Sequence, residues 1–181
     1  MDRETAQLFF TLLTIGALVS TIAILMTRIA ARTSNAARVL VDQLGPVSNA
    51  VAATLAVVSM LGSLYFSEVA DYLPCTLCWY QRIAMYSLAL VLTIAAFRRD
   101  RGIRVYAIPL ASVGAGIALY HWLLERFPDI DAGVCSVTVP CEFVWFERVG
   151  FITLPFMALT GFVAIIAWLT LPSFPLGQEQ S

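Results

Sequence analysis

The sequence predicts an all-α integral membrane protein: a four-helix transmembrane bundle with one extra transmembrane helix at its N-terminal side. Three observations predict it. The 181 residues are 60% hydrophobic and only 13% charged, whereas a soluble domain is closer to half apolar and a quarter charged, so lipid is most of this chain's solvent. Five apolar stretches, residues 8–27, 47–66, 79–97, 105–124 and 151–171, each match the roughly 20 residues that a helix needs to cross a hydrocarbon core. Arginines gather in alternate links between them, the pattern that sets orientation.

The first stretch is too long for the apolar region of a signal peptide. It follows Asp2 and Glu4 and precedes Arg28 and Arg32 without a cleavage pattern, so it reads as a retained helix. In the link after it, Arg28, Arg32, Asn35, Arg38 and Asp42 recur at helical spacing, with Ile29, Ala36, Leu40 and Leu44 on another face. That suits either a helix lying on the cytoplasmic surface or an extension of the first helix, and Gly45-Pro46 ends it in both cases. A short polar loop separates the second and third stretches. Arg98, Arg99, Arg101 and Arg104 crowd the next link, and in the fourth stretch Ala111, Gly114, Ala115 and Ala118 offer a small-residue face for close packing. Pro109 and Pro155 fall near helix ends, where a missing backbone donor costs least. A longer loop then leads to the fifth stretch. Three segments result: 1–46, the N-terminal helix and amphipathic link; 47–171, a four-helix core; and 172–181, a tail.

The two arginine-rich links lie on one side of a five-helix chain, which the positive-inside rule makes cytoplasmic. The N-terminus and the two cysteine-bearing loops then face outward, where disulfides persist, and the tail falls inside. With no lysine, one histidine and no basic patch, the chain has few groups for phosphate or ordinary acid–base chemistry and none for a nucleic-acid partner.

The chemistry lies in four cysteines. Cys75-Thr76-Leu77-Cys78 meets the third stretch, and two cysteines at that spacing close a small ring that opens and re-forms readily, which suits electron exchange better than stapling. With the helix expected to begin around Cys78, the unpaired amides and the dipole would favour the Cys78 thiolate. Arg82, four residues on, shares its face and adds fixed charge, or else snorkels to head groups. Cys135 and Cys141 form a second pair in the longer loop, followed by an apolar run, 143–146, expected in the membrane interface. Two inert staples and a four-thiolate zinc site are the competing readings of these cysteines. His121, between Tyr120 and Trp122, reads either as an interfacial anchor or as a group able to bond an acceptor at the depth of Cys78. A thiol relay needs a terminal oxidant. The chain carries no haem, flavin or iron–sulfur motif, and a lipid-dissolved quinone would need only an apolar slot with a few polar groups.

These residues resemble the disulfide bond formation protein B (DsbB) family. The resemblance rests on Pro-Cys-Thr-Leu-Cys-Trp-Tyr-Gln-Arg at 74–82, Tyr-His-Trp-Leu-Leu-Glu-Arg-Phe-Pro at 120–128, and Cys135 and Cys141 beyond them. It covers about residues 50–171. It implies a membrane protein-dithiol:quinone oxidoreductase of the bacterial cytoplasmic (inner) membrane, with ubiquinone or menaquinone as cofactor and a DsbA-like thioredoxin-fold partner. Cys75 and Cys78 are then the quinone-coupled pair, Arg82 and His121 lie with Cys78 at the quinone, and Cys135 and Cys141 oxidise the partner. The best-known members space the loop cysteines more widely, so this chain is similar to a shorter-loop subgroup. The extra helix lies outside the resemblance. The reading from another class is a non-catalytic membrane scaffold or transporter subunit with two structural disulfides.

Overall fold

Asp2 starts the first helix, α1 (Arg3–Ala30), by accepting the Thr5 amide at 2.7 Å. At 28 residues α1 outruns the expected stretch at both ends. Its outer face, including Leu12 and Ile22, is more than half exposed, as a lipid-facing surface should be. The structure, a computed structural model, describes residues 2–131, 133–135 and 139–171. The tail segment expected at 172–181 lies outside the described residues.

A tight turn after α1 makes the link a separate helix, α2 (Asn35–Leu44), and not an extension of α1. Arg38 holds the turn, donating to the carbonyls of Ala31 at 2.7 Å and Arg32 at 3.2 Å. The turn also breaks the helical phase. Ile29 and Leu40 are therefore exposed, and Val41 becomes the buried residue, packed with Ile24, Ala167 and Leu171.

The remaining helices are α3 (Ser48–Glu68), α4 (Thr76–Arg98), α5 (Arg104–Arg126) and α6 (Leu154–Leu169). α3 packs on α4 and α6, and α5 packs on α4 and α6, which closes a four-membered ring. α1 lies outside it against α6, and near the loops it reaches α3 through Phe10 on Phe66, with ring centroids 5.3 Å apart. Small residues let the ring close: Ala52, Ala56, Ala111 and Ala118 are fully buried with Leu88, Leu92 and Phe162. Gly114 is the tightest point, because a Cβ there would stand 2.4 Å from the Phe162 ring.

The helix α6 is shorter than expected, 16 residues where 151–171 was read, or about 24 Å at helical rise. Its first expected turn is spent otherwise. Arg148 and Ile152 pair as an antiparallel bridge, with Val149 and Gly150 between them at positive φ, and Pro155 in the first helical turn fits a start there.

Polar contacts fasten both ends of the bundle. At the end holding Arg28, Arg98 and Arg104, Arg28 donates to Thr170 at 2.7 Å and Asn49 to the Asp100 carbonyl at 2.7 Å. Arg104 there donates to Ser48 Oγ and to the Leu171 carbonyl. At the opposite end Gln7 of α1 donates to the Tyr72 hydroxyl and accepts from Arg148, each at 2.8 Å. All four cysteines lie at this second end.

Candidate active site

Pro74 precedes Cys75, and the chain turns helical at Thr76, a residue or two before the expected start. Cys75 is therefore the N-cap, extended at φ −74° and ψ 176°, and its Sγ accepts the amide of Cys78 at 3.3 Å. The helix amide expected to favour Cys78 thus serves Cys75. Both residues are thiols, with their sulfurs 2.9 Å apart. The Cys75 thiol is drawn down to about 4, first by the hydrogen bond from the Cys78 thiol, against the opposing effect of burial, with His121 and the Cys78 amide adding to the fall.

His121 binds the site together. Fully buried near the end of α5, its Nε2 stands 3.6 Å from Cys75 Sγ and 3.0 Å from the carbonyl oxygen of Cys141. Its Nδ1 is 2.9 Å from the Gln81 side-chain nitrogen. The Gln81 N–H donates to Nδ1, which assigns the ring proton to Nε2, and Nε2–H donates to the Cys141 carbonyl. One ring therefore touches the helix pair and the loop pair at once.

The loop pair is closed: a disulfide joins Cys135 and Cys141. Cys141 is buried in one cluster with Cys75, Leu77 and Leu124, while Cys135 lies at its edge and is partly accessible. Cys75, Cys78 and His121 set three metal-ligating atoms within 4.8 Å of one another. With Cys135 and Cys141 bonded to each other, the four-thiolate zinc site lacks two of its ligands.

Cys78 reaches further. It lines a mostly apolar cavity of about 180 Å³ with Ser63, Gln81, Arg82, His121 and Tyr86, which Cys75 does not reach, while both cysteines line a smaller recess beside Glu125 and Pro140. Arg82 is buried, with Nε donating to Ser63 Oγ at 2.9 Å and Nη2 to the Ser63 carbonyl at 2.8 Å. The guanidinium is thus fixed in plane on the cavity wall and lies over the Trp79 ring at 5.2 Å. Held this way, it is not snorkelling to the surface. In the run 143–146, Trp145 stacks on Tyr72 at 4.8 Å and lines the cavity, Phe146 packs on Phe66, and Phe143 stays exposed.

The structure brings Cys75, Cys78, Cys141 and His121 into contact or one cluster, and Arg82 joins Cys78 across the cavity. Three participants were not singled out from the sequence. Gln81 had a signal, one turn after Cys78. Glu125 had one too, four residues after His121, and it accepts from Thr153 at 2.6 Å. Ser63 had none, because only the packing of α3 on α4 brings it to Arg82.

Residues 47–139 match the family described as Disulfide bond formation protein DsbB. The chain is similar to Disulfide bond formation protein C of Bacillus subtilis (strain 168), 45% identical over 119 residues, which are 65% of this chain and 86% of that protein. It is similar to Probable disulfide formation protein C 1 of Bacillus anthracis, 46% identical over 109 residues, 60% and 78% of the two chains. Probable disulfide formation protein C of Halalkalibacterium halodurans is 45% identical over 111 residues, 61% and 81%. No solved structure matches the chain.

Proposed function

The chain belongs to the DsbB family of disulfide bond formation proteins, and on that premise we propose that it is a membrane protein-dithiol:quinone oxidoreductase. It reoxidises a DsbA-like thioredoxin-fold partner on the extracytoplasmic side of the bacterial cytoplasmic membrane. One observation carries the reading: a loop disulfide, a dithiol and an apolar cavity stand in line, with His121 touching both cysteine pairs. Cys135 is the accessible sulfur. A partner thiolate attacks it, forming the partner–Cys135 disulfide, and the electron pair of the broken bond leaves on Cys141. The partner's second thiol resolves that bond, and the partner departs oxidised, leaving a loop dithiol. Cys141 then attacks Cys75 of the oxidised helix pair and Cys78 leaves as thiolate, facing the cavity. Cys135 closes back on Cys141 and frees Cys75, so the helix pair holds two electrons.

The cavity has room for a quinone head group: a volume of about 150 Å³ already accepts a benzene-sized ring, and Ser63, Gln81, Arg82 and His121 put polar groups into a mostly apolar lining. A ubiquinone or menaquinone bound there would supply a sink for an electron pair and its protons. Arg82, fixed by Ser63, would offer the group a positive charge, and His121 holds a proton at Nε2, beside Cys75 and the Cys141 carbonyl. A scaffold with two structural disulfides would have no use for Gln81, Arg82 and His121 buried at the mouth of an apolar cavity.

The test is quinone loss, followed by ultraviolet absorbance, with purified protein in lipid and a reduced thioredoxin-fold dithiol as donor. Replacing any one of the four cysteines by serine should abolish turnover. In Cys75→Ser the Cys78 sulfur remains against the quinone, and a visible thiolate–quinone absorption should appear that Cys78→Ser lacks. Turnover that survived these replacements, or no donor-dependent quinone loss, would favour the scaffold.

A further inference from the structure

The quinone reading leaves α1 without a task, since α1 precedes the residues matched to the family. The cavity supplies one. Phe10, Leu13, Thr14 and Ala17 line the same cavity as Cys78 and Arg82. They sit at spacings of three, four and seven along α1, which is one helix face. The opposite face, with Leu12, Val19 and Met26, is open to lipid.

The fit on that face is close. The Phe10 ring fills the space a side chain at position 62 would take, 2.6 Å from where a Cβ on Gly62 would stand. Thr14 donates its hydroxyl to the Phe10 carbonyl at 2.8 Å, so the donor is spent within the helix. The α1 wall is thus predominantly carbon, in the same cavity that Ser63 and Arg82 line. Gln7, one turn before Phe10, ties α1 to Tyr72 and Arg148 and so to the segments flanking both cysteine pairs.

Resting on the quinone reading, we propose that α1 is a working wall of the quinone site, closing it toward lipid and selecting the head group by shape. Tightness of binding and preference between ring types are then properties of five helices, not of the four-helix core. A bicyclic naphthoquinone and a substituted benzoquinone differ most in ring width, the dimension that a carbon wall sharing the cavity with a fixed guanidinium would measure.

The test uses the full chain in lipid, with a decyl-tailed ubiquinone and a naphthoquinone of equal tail as probes. Dissociation constants come from quenching of tryptophan fluorescence, Trp145 being part of the cavity wall, and KM from steady-state reduction. A third readout needs no quinone: the first transfer of electrons from a reduced dithiol protein to the oxidised cysteines. Ala17→Phe, which fills the cavity, should raise both the quinone Kd and KM about tenfold with first transfer unchanged. Phe10→Ala, which widens it, should shift the preference toward the naphthoquinone. Leu12→Ala, on the lipid face, should move neither. If Ala17→Phe also loses first transfer, Phe10→Ala decides alone. Wild-type affinity and preference in Phe10→Ala and in a folded Ala17→Phe would overturn the role of α1 while the quinone reading stood. A wild-type chain that neither binds nor reduces either probe would overturn both.

Discussion

Cys75 and Cys78 are a turn apart and share one recess, but only Cys78 reaches the larger cavity, and this division organises the chemistry. Cys75 looks to the loop disulfide and His121, and Cys78 looks into the cavity with Arg82. Cys75 also holds the N-cap, so the helix amide and the Cys78 thiol both stabilise its negative form. Its folded value lies well below that of a free thiol, so the thiolate persists as pH falls below neutrality. Alkylation of the reduced protein by iodoacetamide should therefore hold its rate below neutral pH, whereas an ordinary thiol, with a pKa of about 8.5, loses reactivity tenfold per unit from neutrality. His121→Ala should move the fall to higher pH. A rate that declined steadily from neutrality in the native protein would refute the assignment. The residue types at the site were legible in the sequence: the Cys-x-x-Cys pair, Arg82 four residues on, and a lone histidine at matching depth. What they touch was not. One shift in the helix start moved the amide from Cys78 to Cys75, and the Gln81–His121–Cys141 chain depends on α4 meeting α5.

At the level of helices, close approach does most of the holding, because lipid gives no hydrophobic drive for one helix to leave it for another. Gly114 and Gly116 separate this effect from helix propensity. A Cβ at 114 would press on the Phe162 ring, which is fully buried, whereas a Cβ at 116 meets nothing within 4 Å. Gly114→Ala should then destabilise the bundle by roughly 1–3 kcal/mol through overpacking, and Gly116→Ala should be neutral or slightly stabilising, since alanine is the better helix former. Thermal unfolding in detergent, followed by circular dichroism, would compare them, and equal midpoints would mean that α5 and α6 do not meet at Gly114. Apolar length was enough to find α1, α3, α4 and α5. It overestimated α6, because a run of apolar residues does not reveal that Phe151 and Ile152 belong to a turn closed by the Arg148–Ile152 bridge. Nor can hydropathy tell a lipid-facing aromatic from one stacked on another ring, as Trp145 is on Tyr72.

Across the whole molecule, most of the arginines and the cysteines lie at opposite ends. Arg28, Arg32, Arg38, Arg98, Arg99, Arg101 and Arg104 belong to the links at one end, and the contacts from Arg28 to Thr170 and from Asn49 to Asp100 show that these links are neighbours in space. The remaining arginines, Arg3, Arg82, Arg126 and Arg148, belong to the cysteine end. Arg82 is tied to Ser63, Arg126 pairs with Glu147 at 2.9 Å, Arg148 bonds Gln7 and Arg3 reaches Asp71 at 3.5 Å. Arginines near membrane segments favour the cytoplasm, and the larger group, seven against four, should therefore decide orientation. In a chain with the four cysteines replaced by serine, Thr33→Cys and Asp131→Cys place single thiols in exposed turns at the two ends. A membrane-impermeant maleimide added to intact cells, with the outer barrier opened where there is one, should label Asp131→Cys and spare Thr33→Cys until the membrane is permeabilised. The reverse pattern would put the cysteine pairs in a reducing compartment, where a disulfide-forming relay has no standing product. Labelling of both from one side would mean that the helices between them do not cross an odd number of times, which α3, α4 and α5 as three separate spans require.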